Sequence, residues 1–136
     1  MVEMKLDLEF PDAILVHDEK PYLMASLDGW NAEKRILLEI KVGNKKDHDR
    51  GVVPDKYFPQ LQHQMYVTDT GFAYYASYHL EKGKEDQHGD LKIITLERDD
   101  VFLKEYIPIA DLFYEALVNN KPPEVKKLNY LRDHSK

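Results

Sequence analysis

The sequence contains no cysteine. This absence excludes disulfides, iron–sulfur clusters and cysteine-based zinc sites. The sequence also lacks a run of about 20 apolar residues, the length that a membrane-spanning helix needs. The first ten residues alternate charged and apolar types, so they do not form the apolar core of a signal peptide. We expect a cytoplasmic protein that does not enter a membrane.

An excess of basic residues is missing as well, since the formal net charge is −6. This charge disfavours general nucleic-acid binding, because duplex affinity comes largely from Lys and Arg contacts to phosphates. The balance is reversed locally. Between residues 41 and 56 the basic side chains outnumber the acidic ones; they are Lys41, Lys45, Lys46, Arg50 and Lys56. A bound cation would alter the local charge further.

The length of 136 residues, 43% of them hydrophobic, allows one core and predicts a single domain over residues 1–136. The apolar–polar pattern is already under way at the first residue, so we expect the C-terminal part of a longer protein.

Hydrophobic periodicity predicts an α/β order of elements. Residues 2–10 alternate and predict an extended segment. Further strands are predicted at 13–16, 22–27, 36–42, 72–78 and 91–96. Helices are predicted at 57–68 and, after the N-cap Asp99, over a segment that contains Pro108. Polar connections are expected at 29–35, 43–54 and 81–90, with a polar tail after Pro122.

The strand at residues 36–42 carries the most informative pattern. Side chains alternate between the faces of a strand, so Ile36, Leu38, Ile40 and Val42 are expected to enter the core. Glu39 and Lys41 then lie side by side on the opposite face. One explanation is an ordinary ion pair on a solvated face. The other is a site that binds something.

Asp28 favours a site. It ends the preceding strand, and a hairpin from Asp28 to Ile36 would bring its carboxylate beside Glu39. Two carboxylates and an intervening carbonyl form an all-oxygen site suited to Mg²⁺. A lysine at its edge can polarise the attacking water, so the set predicts metal-assisted hydrolysis of a phosphodiester.

Three glutamines follow on the predicted helix. At about 100° per residue, Gln60 and Gln64 share one side, and Gln62 and Tyr66 share another. Only one pair can face the site, where an amide could bind the phosphate or a water. A plain polar helix face is the alternative.

Several other side chains have two readings. Trp30 could act as a wedge at a DNA end or cap the hairpin. His17 could be a third metal ligand, but its polar surroundings favour a surface turn. The tyrosines at 74, 75 and 78 could stack on bases, but their spacing on a strand favours the core.

These motifs together resemble the restriction-endonuclease-like superfamily, whose signature is PD followed by (D/E)xK. Within it they resemble the phage lambda exonuclease and YqaJ-like viral recombinase family. The likeness runs through residues 22–29, 38–41, 57–68 and 72–78, and more weakly through 96–99 into the last helix. Leu27 stands where many relatives have proline. The family's upstream helical segment has no counterpart here.

The resemblance implies a mixed sheet flanked by helices and a Mg²⁺ cofactor, with Mn²⁺ as a substitute. Asp28 and Glu39 would be metal-ligating acids, Ile40 a carbonyl ligand, Lys41 the catalytic lysine and Gln60 the site glutamine. The residues expected to contact DNA are Gln62, Tyr66, Trp30, Lys45, Lys46 and Arg50.

The activity implied is 5′-to-3′ exonucleolysis of duplex DNA ends in a bacterial or phage-infected cell. A single-strand annealing protein and a homotrimer are the implied partners. A structure-selective endonuclease on the same fold, or a non-catalytic remnant that binds DNA or a partner, are the alternatives.

Overall fold

The computed structural model of the chain describes residues 2–81, 83, 89–122, 130–132 and 134. The chain divides into two compact units, Met1–Arg98 and Asp99–Lys136. The single domain expected from the sequence stays a prediction. No helix within the described ranges is both long enough and apolar enough to cross a membrane.

The described residues of the first unit form three helices and six strands. In chain order they are α1 (Val2–Leu6), β1 (Ala13–Val16), β2 (Met24–Leu27), β3 (Gly29–Asn31), β4 (Ile36–Val42), α2 (Lys45–Arg50), α3 (Phe58–Thr68), β5 (Phe72–His79) and β6 (Asp90–Glu97). The second unit contains α4 (Asp100–Val118).

The main sheet has four strands in the order β3-β4-β5-β6, and β1 and β2 form a separate antiparallel hairpin. β4 and β5 are parallel, whereas β3–β4 and β5–β6 are antiparallel. A parallel pair requires a crossover connection, which here contains α2 and α3. The predicted mixed sheet flanked by helices is confirmed.

The two faces of this sheet contact different helices. On one face an apolar cluster joins α1 to the sheet; its buried members are Val2, Phe10, Ile36, Leu38 and Ala76. The other face of β4 and β5 contacts α3, which also contacts β1 and β2. α3 therefore lies against both the hairpin and the main sheet.

The ends of the long helices follow from local sequence. α3 has Pro59 in its first turn and ends at Asp69, which adopts the left-handed conformation at φ 53°. The predicted N-cap Asp99 is confirmed, because its side chain accepts a hydrogen bond from Phe102 N at 3.0 Å. α4 continues through Pro108.

Three predictions of local structure were wrong. Residues 2–6 form a helix instead of an extended segment, because alternation also places apolar groups four residues apart, as at Val2 and Leu6. The expected loop at 43–54 contains α2, capped by Asn44 and Gly51. The expected connection at 29–35 contains β3, which pairs with β4. Most of the loop at 81–90 and of the tail after Pro122 lies outside the described residues.

The prediction that one face of β4 enters the core is correct only for the first half of the strand. Ile36 and Leu38 are buried, but Ile40 is 40% exposed and Val42 is 77% exposed. The cluster around α1 includes the first half of this face but neither of these two residues. The opposite face is not a solvated one, since Leu37 and Glu39 are both buried.

Candidate active site

Asp28 lies at the junction of β2 and β3. The β3–β4 ladder pairs Gly29 with Leu38, so the residue before Gly29 reaches past the end of that ladder along β4. There the exposed carboxylate of Asp28 accepts a hydrogen bond from Ile40 N at 2.8 Å. The short hairpin therefore places the acid beside the backbone of the Glu39–Ile40 segment.

The carbonyl of Ile40 points to the same edge as Asp28. The N–H and C=O groups of one residue in a strand point to the same side, and Ile40 N–H is directed at Asp28. β3 pairs with β4 only at residues 36–38. The Ile40 carbonyl therefore lies beside a carboxylate and carries no hydrogen bond of the β3–β4 ladder.

Glu39 is 4% exposed and three donors converge on its carboxylate. Gln60 Nε2 donates to Oε1 at 3.1 Å, and Gln64 Nε2 donates to Oε2 at 3.0 Å. Lys41 Nζ lies 3.3 Å from Oε1. A buried carboxylate requires such partners, because an unpaired charge away from water is strongly disfavoured.

Lys41 lies at the rim of the polar cluster that Glu39 forms with Gln60 and Gln64, and it is partly exposed. Its Nζ is 4.7 Å from the ring centre of Tyr57, and Lys56 Nζ is 5.1 Å from the same ring. Behind Tyr57, burial raises the pKa of Tyr75 to about 12. The lysine ammonium therefore has an aromatic wall on one side and the Glu39 carboxylate on another.

The donor set fits Mg²⁺. Two carboxylates and a main-chain carbonyl offer hard oxygen ligands, and Mg²⁺ in proteins is often held by one or two carboxylates while keeping several waters. The described residues contain no cluster of three or more acidic or histidine side chains that could hold a metal. The Asp28–Glu39–Ile40 set offers two carboxylates and one carbonyl, so a Mg²⁺ ion held there would keep several waters.

The basic residues predicted to contact DNA lie on α2, which follows directly after β4. Lys45, Lys46 and Arg50 are exposed. Lys45 Nζ forms an ion pair with Asp49 at 2.6 Å, which raises the pKa of the lysine. α2 is held to the sheet by buried His48, whose ring nitrogens lie 2.8 Å from Ser77 Oγ and 2.7 Å from Asp90 Oδ2.

Trp30 and Tyr66 line one cleft, and Glu39 is not among its lining residues. The cleft has a volume of about 480 Å³ and lies between the hairpins and the end of α3. Arg35 stacks over Trp30 at 5.7 Å, and His17 stacks on Tyr66 with ring centres 4.6 Å apart. His17 Nδ1 accepts hydrogen bonds from two backbone N–H groups of the following turn. This contact agrees with the interpretation of His17 as a residue of a surface turn.

The structure does not bring Gln62 to the cluster. Its side chain is buried, and Nε2 donates to the carbonyl of Glu97 at 3.0 Å. Gln60 and Gln64 form the pair that faces Glu39.

Gln64 and Tyr57 touch the cluster; the sequence argument offered Gln64 only as the partner of Gln60 in one of two alternative pairs, and it gave Tyr57 no role. The four-residue spacing from Gln60 was sufficient to identify Gln64. Tyr57 precedes α3 and follows no periodicity, so its position next to Lys41 depends on the tertiary fold.

Comparison with known proteins identifies the family of the chain. The family model of the YqaJ-like viral recombinase domain matches residues 2–71, just over half of the sequence. Among curated protein sequences, none matches.

Solved structures are similar over a larger part of the chain. They include the crystal structure of an alkaline exonuclease (LHK-Exo) from Laribacter hongkongensis and the same protein in complex with dAMP. In both cases the TM-score is 0.71 at 22% identity, over 88% of this chain and 62% of that chain. At this identity the likeness concerns the fold, and it confirms the predicted restriction-endonuclease-like class.

The chain spans about three fifths of that solved exonuclease, and the family model covers the residues from α1 to the end of α3, including Asp28, Glu39, Lys41 and Gln60. The chain belongs to the YqaJ-like viral recombinase domain family.

Proposed function

We propose that the chain carries the hydrolytic site of a Mg²⁺-dependent DNA exonuclease that acts on linear duplex in the 5′-to-3′ direction. The observation that carries the proposal is the convergence of Gln60 and Lys41 on the buried Glu39, on a strand whose next residue binds Asp28. The solved protein of the same fold is named an alkaline exonuclease and was crystallised with dAMP, a mononucleotide, which supports DNA as the substrate class.

Asp28, Glu39 and the carbonyl of Ile40 would hold Mg²⁺, or Mn²⁺ in its place. Bound there, the cation would supply Lewis-acid chemistry, lowering the pKa of water and offsetting the negative charge that develops on phosphate. The protein's own contribution is a fixed pair of carboxylates. Glu39 is held by side-chain amides and Asp28 by a backbone N–H, so little reorganisation is needed when the cation arrives.

Lys41 supplies a positive charge at the rim, where it can orient the attacking water and stabilise the charged transition state. Gln60 is exposed, and its amide lies between Glu39 and solvent, within reach of a phosphate oxygen. On α2, Lys46 and Arg50 offer cations to the DNA backbone, whereas Lys45 must leave Asp49 to do so. Local charge on this side can therefore offset the overall net charge of −6.

Loss of Lys41 tests this assignment. We expect Lys41→Ala to lower kcat on linear duplex with Mg²⁺ by about 10²–10³-fold, the usual effect of removing one group that stabilises transition-state charge. Lys34→Ala, which removes an exposed lysine in the turn before β4, is the matched control and should cleave at the wild-type rate. Melting temperatures of both variants establish that they fold.

Equal rates for wild type and Lys41→Ala would remove Lys41 from the mechanism.

Two substrates test whether the protein cleaves DNA from its ends or internally. A covalently closed circle should remain intact, and a duplex labelled at its 5′ ends should release labelled mononucleotide first. Cleavage of the circle would favour the structure-selective endonuclease instead.

A further inference from the structure

Gln64 holds a position that hydrolysis alone does not explain. Its side chain is 2% exposed on the face of α3 that meets the sheet. Nε2 donates to Glu39 Oε2 at 3.0 Å and to the carbonyl of Ser26 at 3.2 Å. Both N–H bonds of one buried amide are therefore used, each on a different strand.

These two acceptors belong to the two segments that carry the acids. Ser26 lies in β2, two residues before Asp28, and Glu39 lies in β4. β2 pairs with β1 in the hairpin, whereas β4 belongs to the four-stranded sheet, and no ladder joins the two among the described strands. The amide of Gln64 is thus a direct bridge between the backbone leading to Asp28 and the carboxylate of Glu39.

Only one orientation of this amide is compatible with its two hydrogen-bond partners. Rotating it by 180° would place Oε1 against the Ser26 carbonyl and the Glu39 carboxylate, which both only accept hydrogen bonds. In the observed orientation Gln64 Oε1 is buried and has no hydrogen-bond partner among the described residues. A buried acceptor without a donor destabilises the folded state. An apolar side chain would avoid that cost. The amide at this position is therefore explained by the two hydrogen bonds that its N–H groups donate.

Gln62 provides the internal comparison. It lies on the same helix, is 0% exposed, and also donates a hydrogen bond to a strand carbonyl, that of Glu97. This bond leads to β6, whereas the bonds of Gln64 lead to β2 and β4. The two glutamines therefore share residue type, helix and burial, and differ in the strands that these hydrogen bonds reach.

We infer that Gln64 is a positioning residue that sets the separation of the Asp28 and Glu39 carboxylates and thereby the affinity for a divalent cation. The inference rests on the proposed function, because it assigns a determinant of the same site. Gln64 acts through Glu39 and does not touch the cation or the substrate.

The test measures binding of Mn²⁺ to the DNA-free protein by isothermal titration calorimetry. Gln64→Met keeps the volume and removes both N–H donors, and we expect about 10–100-fold weaker Mn²⁺ binding, the usual effect of losing a group that holds a metal ligand. Gln64→Asn keeps the amide but is one methylene too short to reach both acceptors, so it should also bind Mn²⁺ more weakly. Gln62→Met should lower the melting temperature and leave the Mn²⁺ affinity at the wild-type value.

A second measurement needs no metal. If Gln64 holds the Glu39 carboxylate, the losses of melting temperature caused by Gln64→Met and Glu39→Gln should not add in the double variant. Additive losses, or wild-type Mn²⁺ affinity in folded Gln64→Met, would overturn the inference and leave the proposed function standing. A folded wild type that binds no Mn²⁺ would instead refute the proposed function, and the inference with it.

Discussion

Glu39 and its neighbour across the sheet, Tyr75, are two buried ionisable side chains with different surroundings. The two residues are register partners on β4 and β5. Glu39 is accommodated by two amides and an ammonium group. Tyr75 is buried beside Tyr57, and burial is the main cause of its raised pKa of about 12. Hydrogen-bond donors therefore surround the Glu39 carboxylate, whereas burial favours the neutral form of the Tyr75 phenol.

The raised pKa of Tyr75 predicts a loss of stability at alkaline pH. The folded-state pKa of about 12 exceeds the ordinary value of 10.0, so the stabilising effect is complete below pH 10 and is lost as pH rises from 10 to 12. In Tyr75→Phe this component should be absent. Urea unfolding at intervals from pH 9 to 12 measures it. Lysines titrate in both proteins, so the difference between their profiles reports Tyr75, and parallel profiles would contradict the prediction.

At the scale of elements, the sequence predicted what apolar periodicity encodes. β4, α3 and α4 have apolar side chains at regular intervals; the predicted bounds of β4 and α3 agree with the structure within one residue, and the predicted N-cap Asp99 marks the start of α4. The same alternation that revealed β4 put Glu39 and Lys41 on one face, and the short hairpin led to Asp28. Most of the candidate site was therefore predictable from spacing.

Elements held by polar contacts were not predictable. α2 has the sequence KKDHDR, which shows no apolar period. Its position depends on buried His48, which bridges Ser77 on β5 and Asp90 on β6, residues 29 and 42 positions away in the chain. Lys92 Nζ also donates to the His48 carbonyl at 3.0 Å. Pairing at such sequence distances leaves no local signal, so this stretch was expected to be a loop.

Removal of the His48 side chain should release α2. A six-residue helix is too short to be stable alone, so His48→Ala should lower the free energy of unfolding by about 2–3 kcal/mol through two lost hydrogen bonds and a cavity. Hydrogen exchange should show lost protection in α2. Asp90→Asn is the matched control: Asp90 is exposed and the His48–Ser77 bond remains, so the effect should be much smaller. Unchanged exchange in His48→Ala would show that other contacts hold α2.

At the scale of the whole molecule, the proposed cation site would link metal binding to folding. The chain carries a net charge of −6, and the Asp28 carboxylate accepts a hydrogen bond from Ile40 N, the residue that follows Glu39 on β4. Binding of a cation to the folded state alone stabilises it by mass action, about 2.7 kcal/mol at a concentration 100 times Kd.

This linkage separates a functional site from a non-catalytic remnant of the same fold. We expect Mg²⁺ and Mn²⁺ to raise the melting temperature of the wild type above that in NaCl of equal ionic strength. Asp28→Asn should keep the metal-free melting temperature, because an amide oxygen can still accept from Ile40 N, but it should lose the metal-dependent rise. Asp12→Asn, which removes an exposed acid, is the control and should retain the rise. An equal rise in Asp28→Asn would place the cation elsewhere on the protein, and no rise in the wild type would favour the remnant, which retains the fold without a working metal site.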